Sequence, residues 1–245
     1  MKFMPDAAAE LPPDCRQRPA RASDVPALHE LHQAVLAALP DASLFRLFGG
    51  AESFFQTHCG PRGESWVVEQ GDQLLAYAAL TLPRADDADN YALNLGWPAE
   101  RAGRVGLLSA AMVHPQQRQQ GLHRALIQLR VARAQALGLP ELLARAAPAN
   151  ALSRQGLMGQ GLAIVWLGEQ AGGLLRHVYW RPAAQPVQGV VRAWLLPDDA
   201  AGQQAALAQG WLGLALRPAD GALGYGMPVP ADGRGRMAPS SACGG

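Results

Sequence analysis

The chain has 245 residues, a formal net charge of +1 and 49% hydrophobic residues. This length suffices for one large domain, or for one domain with an appendage. The near-neutral charge argues against a protein that binds nucleic acid through a strongly basic surface. No stretch is apolar over the length that crosses a bilayer, so we expect no membrane segment.

Cysteine and histidine usage points away from a metal site. His29 and His32 lie one helical turn apart, but no third ligand stands at a suitable spacing, so we expect both to lie on the surface or to pack in a helix. The same interpretation applies to His58. Because the cysteines are scattered and odd in number, we expect a protein of the reducing cytoplasm. They are Cys15, Cys59 and Cys243. Lys2 is the only lysine, and this bias with abundant alanine and glycine is typical of a GC-rich genome, so we expect a bacterial protein.

The N-terminal part of the chain predicts a short strand and two helices. Residues 1–15 hold three prolines among alanines and acids, which favours a disordered lead. Residues 16–22 predict a first strand, after which Ser23 or Asp24 is expected to cap a helix. A second helical segment, carrying four phenylalanines, precedes a break at residues 60–63.

A hairpin and a long irregular segment come next. Residues 65–69 and 73–82 predict two strands joined by a short turn. Residues 84–104 have no clean period and contain three aspartates, which predicts a long loop. Its acids either form a solvated surface or attract a cationic amine.

The central stretch predicts a strand, a loop and a helix. Residues 107–113 are apolar except for Ser109, which is typical of a buried strand. Pro115 ends this strand because proline lacks the ladder N–H. A polar loop, residues 116–120, leads to Gly121, and from Leu122 apolar side chains recur at three- and four-residue steps, which predicts a helix.

This arrangement is suited to bind an anion. The first turn of a helix has unpaired N–H groups and carries partial positive charge. Gly121 lets a bulky ligand approach the backbone, and Arg118 and Arg124 add full positive charges around the same loop. The sequence therefore predicts a diphosphate held by backbone amides.

Residues 118–123, Arg-Gln-Gln-Gly-Leu-His, resemble the Q/R-x-x-G-x-G/A signature of the GNAT N-acetyltransferase superfamily, which binds acetyl-CoA. Val113-His114-Pro115 stands where these enzymes leave their central strand, and His123 departs from the final Gly or Ala. The resemblance implies a mixed α/β fold over residues 16–182, with a central twisted sheet flanked by helices. It also implies acetyl transfer from CoA to a primary amine, without a metal. The implied cofactor-binding residues are Met112, Val113, Arg118, Gln119, Gln120, Gly121, Leu122, His123, Arg124, Asn150 and Ser153.

A second motif follows the next strand, which residues 141–147 predict to be parallel to the central one. Asn150 is expected to cap the helix that follows. By resemblance, Asn150 and Ser153 also meet the CoA arm, and Gly161 corresponds to the glycine that closes this motif. The tyrosine that protonates the departing thiolate in many relatives is replaced here by Leu157.

The catalytic groups are less clearly marked. Many relatives use a carboxylate on the central strand, whereas Ser109 is the only polar side chain of this one. His114 is the nearest histidine, the residue type that most often serves as a general base. Tyr77, His177, the acidic loop or a chain of waters are equally open as the base. The catalytic candidates are therefore His114, Ser109 and Tyr77.

The C-terminal third predicts a hairpin and an appendage. Residues 162–167 and 174–181 are expected to pair. Residues 183–230 predict a strand–helix–strand appendage, and residues 231–245, rich in glycine, proline and serine, predict a disordered tail.

Three functions fit these patterns. The first is an acetyl-CoA-dependent N-acetyltransferase whose acceptor is a small amine, an amino acid, an antibiotic or a protein N-terminus. The second is a catalytically degenerate acyl-CoA-binding module, suggested by Leu157 and the missing carboxylate. The third is an interaction protein that forms a homodimer through its C-terminal appendage.

Overall fold

The structure, a computed structural model, describes residues 11–59, 62–170 and 173–229. The chain divides into two compact units. The first comprises the chain up to Leu82 together with Leu108–Gly138, and the second comprises Pro83–Leu107 together with the chain from Leu139 onward. The predicted tail and residues 1–10 of the predicted lead lie outside the described residues.

The elements are numbered along the chain. The strands are β1 (Arg16–Pro19), β2 (Gly63–Gln70), β3 (Gln73–Thr81), β4 (Val105–Val113), β5 (Glu141–Ala146), β6 (Ala163–Gln170), β7 (Leu174–Pro182), β8 (Gly189–Leu195), β9 (Leu212–Leu216) and β10 (Leu223–Pro228). The α-helices are α1 (Val25–Ala37), α2 (Ala51–His58), α3 (Ala99–Ala102), α4 (Leu122–Ala136), α5 (Ala151–Gly159) and α6 (Ala200–Ala208). Within the described ranges no helix is long and apolar enough to span a membrane.

The strands of the first unit neighbour one another in the order β1-β2-β3-β4, and β4 enters this unit at Leu108. β1 and β3 both run antiparallel to β2, which confirms the predicted hairpin. One apolar cluster joins α1 and α2 to the strands through side chains such as Leu28 and Phe55. Another joins α4 to the strands through Leu122 and Leu126, and Leu11 of the predicted lead packs against it.

The entry to α1 differs from the prediction in one respect. Asp24 occupies the position before the helix, but its side chain makes no cap. Its carboxylate instead accepts hydrogen bonds from the Arg18 guanidinium at 2.6 and 2.9 Å and from the Arg21 N–H at 2.8 Å. The Arg18 partner holds the pKa of Asp24 below its usual range. The Asp24 carboxylate therefore pairs with Arg18 instead of capping α1. The first strand is also shorter than predicted, because β1 ends at Pro19 rather than at residue 22.

The second unit contains the start of β4 and continues in the order β5-β7-β6-β9-β10-β8. The predicted β6–β7 hairpin is confirmed. The appendage has the predicted strand, helix and strand, and it joins this sheet because Gly213 of β9 pairs with Ile164 of β6. A further strand, β10, was not predicted. A Cβ at Gly226 would lie 1.9 Å from the Val190 carbonyl oxygen, so close pairing with β8 requires the glycine that weakens the strand pattern.

The predicted loop at residues 84–104 is partly wrong, because it contains a 3-10 helix at Tyr91–Leu95 and the short helix α3. Asn90 organises this segment. Its Oδ1 accepts from the Ala92 N–H at 3.0 Å, and its Nδ2 donates to the carbonyls of Arg84 and Ala102 at 2.9 Å each. Tyr91 then packs in the apolar core of the second unit. The two units together show the predicted mixed α/β fold class, with sheets flanked by helices.

Candidate active site

The segment between β4 and α4 turns tightly. The His114 N–H donates to the Leu75 carbonyl at 2.8 Å, and a 3-10 turn follows at Pro115–Gln117. Gln119 and Gly121 then adopt left-handed backbone angles, with φ of 66° and 81°. Apart from its chain neighbours, no atom of the residues that the structure describes lies within 4 Å of a Cβ added at Gly121, so this glycine is needed for its φ.

The start of α4 is electrostatically positive. Gly121 supplies no side-chain cap, and the first turn contains no acid. The first intrahelical hydrogen bond runs from the Ala125 N–H to the Gly121 carbonyl at 2.9 Å. The N–H groups before Ala125 therefore form the positive end of the helix dipole, as anion binding requires. Arg118 and Arg124, both predicted, flank this helix start in the sequence.

His123, the departure from the signature, is the second residue of α4 and is half-buried. Desolvation by burial, followed by the nearby Arg130 guanidinium, lowers its pKa to about 4. The ring is therefore neutral at pH 7 and brings no third charge to the helix start. It retains one N–H that can donate a hydrogen bond.

Asn150 caps α5 in the second unit, as predicted. Its Oδ1 accepts from the Ser153 N–H at 3.1 Å. Leu157, at the position of the tyrosine in relatives, is buried on the same helix. The predicted cofactor residues thus belong to both units, with the set from Met112 to Arg124 in the first and Asn150 and Ser153 in the second.

A chain of hydrogen bonds in the first unit reaches the predicted Ser109. Its Oγ lies 2.5 Å from Thr81 Oγ1, which lies 2.7 Å from His58 Nε2. The other ring nitrogen, Nδ1, lies 2.8 Å from the Phe54 carbonyl oxygen. His58 does pack in its helix, stacked on Phe54 with ring centroids 3.9 Å apart, but it also ends this polar chain. Sequence spacing gave no signal for it.

A buried arginine, Arg130, binds the backbone of β3 and β4, the strands that carry Thr81 and Ser109. Arg130 of α4 is 1% exposed, and its Nη1 donates to the carbonyls of Ala79 and Ser109, at 3.2 Å each. Its Nε donates to the Leu126 carbonyl at 2.9 Å. One guanidinium therefore ties neighbouring positions of β3 and β4 to the helix behind them.

His114 borders a cavity of about 640 Å³ within the first unit. Its Nδ1 is buried and has no hydrogen-bond partner among the described residues. Two carboxylates, Glu30 and Asp72, also border the cavity, so its electrostatics favour a cation. The lining residues are Ala27, Glu30, Leu31, Ala34, Gln70, Asp72, Gln73, Leu74 and His114.

Tyr77 and His177, the other sequence candidates for a base, are core residues. Tyr77 is 0% exposed, contacts Phe55 edge to face at 5.4 Å, and has its pKa raised by burial. His177 is also fully buried, and its Nε2 lies 2.7 Å from Gln203 Oε1. Burial lowers its pKa to about 4. Neither environment offers an open path from the ring to a substrate.

The histidines near the start of the chain contact protein groups. His29 Nε2 lies 2.8 Å from Glu52 Oε2, and the ring of buried His32 packs against Phe55. Among the residues that the structure describes, no group of three or more His, Cys, Asp or Glu side chains could hold a metal ion.

Comparison with known proteins gives a family and a fold. Residues 27–156 match the family model described as Acetyltransferase (GNAT) family. No curated protein sequence matches the chain.

Three solved structures are similar at a TM-score of 0.51, which at their low identities shows the fold alone. The ribosomal-protein-S18-alanine N-acetyltransferase from Escherichia coli is 16% identical, over 73% of this chain and 99% of that chain. An acetyl-CoA complex from Salmonella typhimurium is 19% identical over 69% and 94%. A GCN5-related N-acetyltransferase from Kribbella flavida is 21% identical over 69% and 98%.

Proposed function

The chain belongs to the GNAT acetyltransferase family, and on this premise we propose that it transfers an acetyl group from acetyl-CoA to a primary amine. The observation that carries the proposal is the start of α4. A left-handed turn at Gly121 presents helix N–H groups without a side-chain cap or a first-turn acid. Such a helix start suits a diphosphate, which is the most strongly charged part of CoA apart from its terminal phosphate.

The remaining cofactor contacts are proposed from the resemblance of the two motifs to those of the family. The Arg118 and Arg124 side chains supplement the helix amides around the diphosphate. Backbone N–H groups at the end of β4, Met112 and Val113, are proposed to donate to the thioester carbonyl. In the second unit, Ser153 and the Asn150 amide are proposed to meet the CoA arm.

The reaction needs a held thioester, a deprotonated amine and donors for the developing oxyanion. The amine nitrogen attacks the thioester carbonyl carbon, and the C–S bond breaks when the tetrahedral intermediate collapses. Leu157 cannot protonate the departing thiolate, so another group must return a proton to it. Holding two oriented reactants together supplies much of the acceleration before any base acts.

His114 is one candidate for handling the amine, because it borders a cavity with two carboxylates in its wall. These carboxylates favour a cationic acceptor. We expect His114→Ala to leave acetyl-CoA affinity nearly unchanged and to lower the rate of transfer. A rate equal to that of the unmodified protein would remove His114 from the mechanism.

The function is tested first by binding and then by turnover. We expect saturating acetyl-CoA to raise the unfolding temperature, since a ligand at about 100 times its Kd stabilises a protein by about 2.7 kcal/mol. Thiol release is then followed with ethanolamine, spermidine and an alanyl peptide as acceptors. Stabilisation without thiol release would favour the acyl-CoA-binding module. The absence of any stabilisation would reject the proposal.

A further inference from the structure

We infer that Ser109, Thr81 and His58 form a relay that removes the proton from the acceptor amine and later returns it to the CoA thiolate. The inference rests on the proposed acetyl transfer. It starts from an observation that the cofactor site does not explain, namely three polar side chains joined end to end by hydrogen bonds from β4 to the end of α2.

The donor directions in this chain follow from the Phe54 carbonyl, which can only accept. The His58 Nδ1, 2.8 Å from that oxygen, must therefore carry the ring proton. In the neutral ring Nε2 then accepts, so the Thr81 hydroxyl donates to it and is left to accept from Ser109. The hydrogen bonds thus all point from the central strand towards the imidazole.

The two ends of the chain differ in exposure, as a relay requires. Thr81 and His58 are 1% and 3% exposed, while Ser109 is only half-buried. We therefore place the substrate at Ser109, the most exposed of the three side chains. The Arg130 guanidinium donates to the Ser109 and Ala79 carbonyls and keeps the serine backbone in place.

The proton balance closes without another reactant. When the amine nitrogen bonds to the acetyl carbon, it releases one proton to Ser109 Oγ. The Ser109 proton moves to Thr81, and the Thr81 proton moves to His58 Nε2, which becomes an imidazolium whose Nδ1–H still donates to Phe54. When the C–S bond breaks, the same steps in reverse deliver one proton to the thiolate. The products are the amide and the CoA thiol.

In this scheme Ser109 is the catalytic residue, because it touches the reacting nitrogen, and Thr81 and His58 are positioning residues. The sharpest test is Thr81→Val, which removes the hydroxyl but preserves the side-chain shape. We expect kcat to fall about 100-fold, within the usual range for general acid–base groups. Acetyl-CoA affinity should stay within about twofold, since the relay lies outside the cofactor contacts.

A rescue variant distinguishes the loss of the hydroxyl relay from a change in side-chain packing. Thr81→Ser retains the hydroxyl and loses a methyl group, so we expect it to recover most of the kcat that Thr81→Val loses. Ser109→Ala breaks the chain at its half-buried end and should match Thr81→Val. The matched control is Ser65→Ala, because buried Ser65 donates to the His58 carbonyl at 2.8 Å but stands outside the chain. We expect its kcat to remain within about threefold.

The assay uses the full chain, thiol release with the most active of ethanolamine, spermidine and the alanyl peptide, and acetyl-CoA binding by thermal shift. If the unmodified protein is active and Thr81→Val behaves like Ser65→Ala or like Thr81→Ser, the relay is overturned while the proposed function stands. If the unmodified protein binds acetyl-CoA but releases no thiol with any amine, the transfer is overturned and the relay with it.

Discussion

The helices α4 and α5 begin in opposite ways. α4 follows two left-handed residues, Gln119 and Gly121, and starts without a side-chain cap. α5 starts at Asn150, whose side chain accepts from the Ser153 N–H. A helix start that supplies its own acceptor stabilises the fold, whereas one without an acceptor keeps its N–H groups available for a ligand. The contrast is consistent with the proposed anion site at α4, and it shows that Asn150 has a structural role at the start of α5 whether or not it also meets CoA.

The largest expected effect comes from placing a charge at the start of α4. Gly121→Asp sets a carboxylate where we place the diphosphate, and we expect acetyl-CoA affinity to fall about 100-fold, or about 2.7 kcal/mol. Gly121→Asn is the matched control, because it has nearly the same size and tolerates the left-handed region similarly. We expect less than about a tenfold loss for it. Equal losses, measured by calorimetric titration, would show that backbone strain and not charge governs the site.

A pH series distinguishes the two helix starts further, since the first turn of α4 contains a titrating group and that of α5 does not. The folded pKa of His123, about 4, lies below its unfolded value near 6.5. The unfolded chain therefore binds the proton first, so this stabilising contribution is complete above pH 6.5 and is lost on acidification towards pH 4. We expect it to amount to about 3 kcal/mol.

The measurement is the free energy of unfolding in urea between pH 4 and 7. His123→Asn should flatten the slope, leaving the share of His177, whose pKa is also about 4. Asn150→Ala serves as the control and should lower stability at every pH without changing the slope. An unaltered slope in His123→Asn would contradict the burial of the ring.

The smallest effect tests the proposed double role of Asn150. Asn150→Ala removes the cap and should cost about 1 kcal/mol of unfolding free energy. Asn150→Asp preserves the cap, so its stability should equal that of the unmodified chain. If the amide also meets CoA, both variants weaken acetyl-CoA binding. Unchanged affinity in Asn150→Asp would leave Asn150 with capping alone.

Local patterns predicted most of the fold. The strand, loop and helix around Gly121 follow from an apolar run, a proline and a helical period, each of which acts over neighbouring residues. The two hairpins were predictable for the same reason. β10 was not predicted, because its glycines are explained only by close pairing with β8, a strand about 30 residues earlier in the chain.

The candidate site was predictable only where its chemistry is carried by consecutive residues. The anion loop satisfies that condition. The chain from Ser109 to His58 does not, because Thr81 stands 28 residues before the serine and 23 after the histidine. Three common residue types at those separations give no signal until strand pairing joins them. The burial of Tyr77 likewise depends on α2, whose Phe55 meets its ring.

α4 also links the two parts of the proposed chemistry. Its first turn is the proposed diphosphate site, and Arg130, about two turns further along, donates to the Ser109 carbonyl. A substitution that tilts this helix would disturb substrate capture and proton movement at once. Inhibitors that bind against the side of α4 would therefore lower turnover without competing with acetyl-CoA. Kinetic dissection of the enzyme should therefore rely on side chains that leave the helix axis in place.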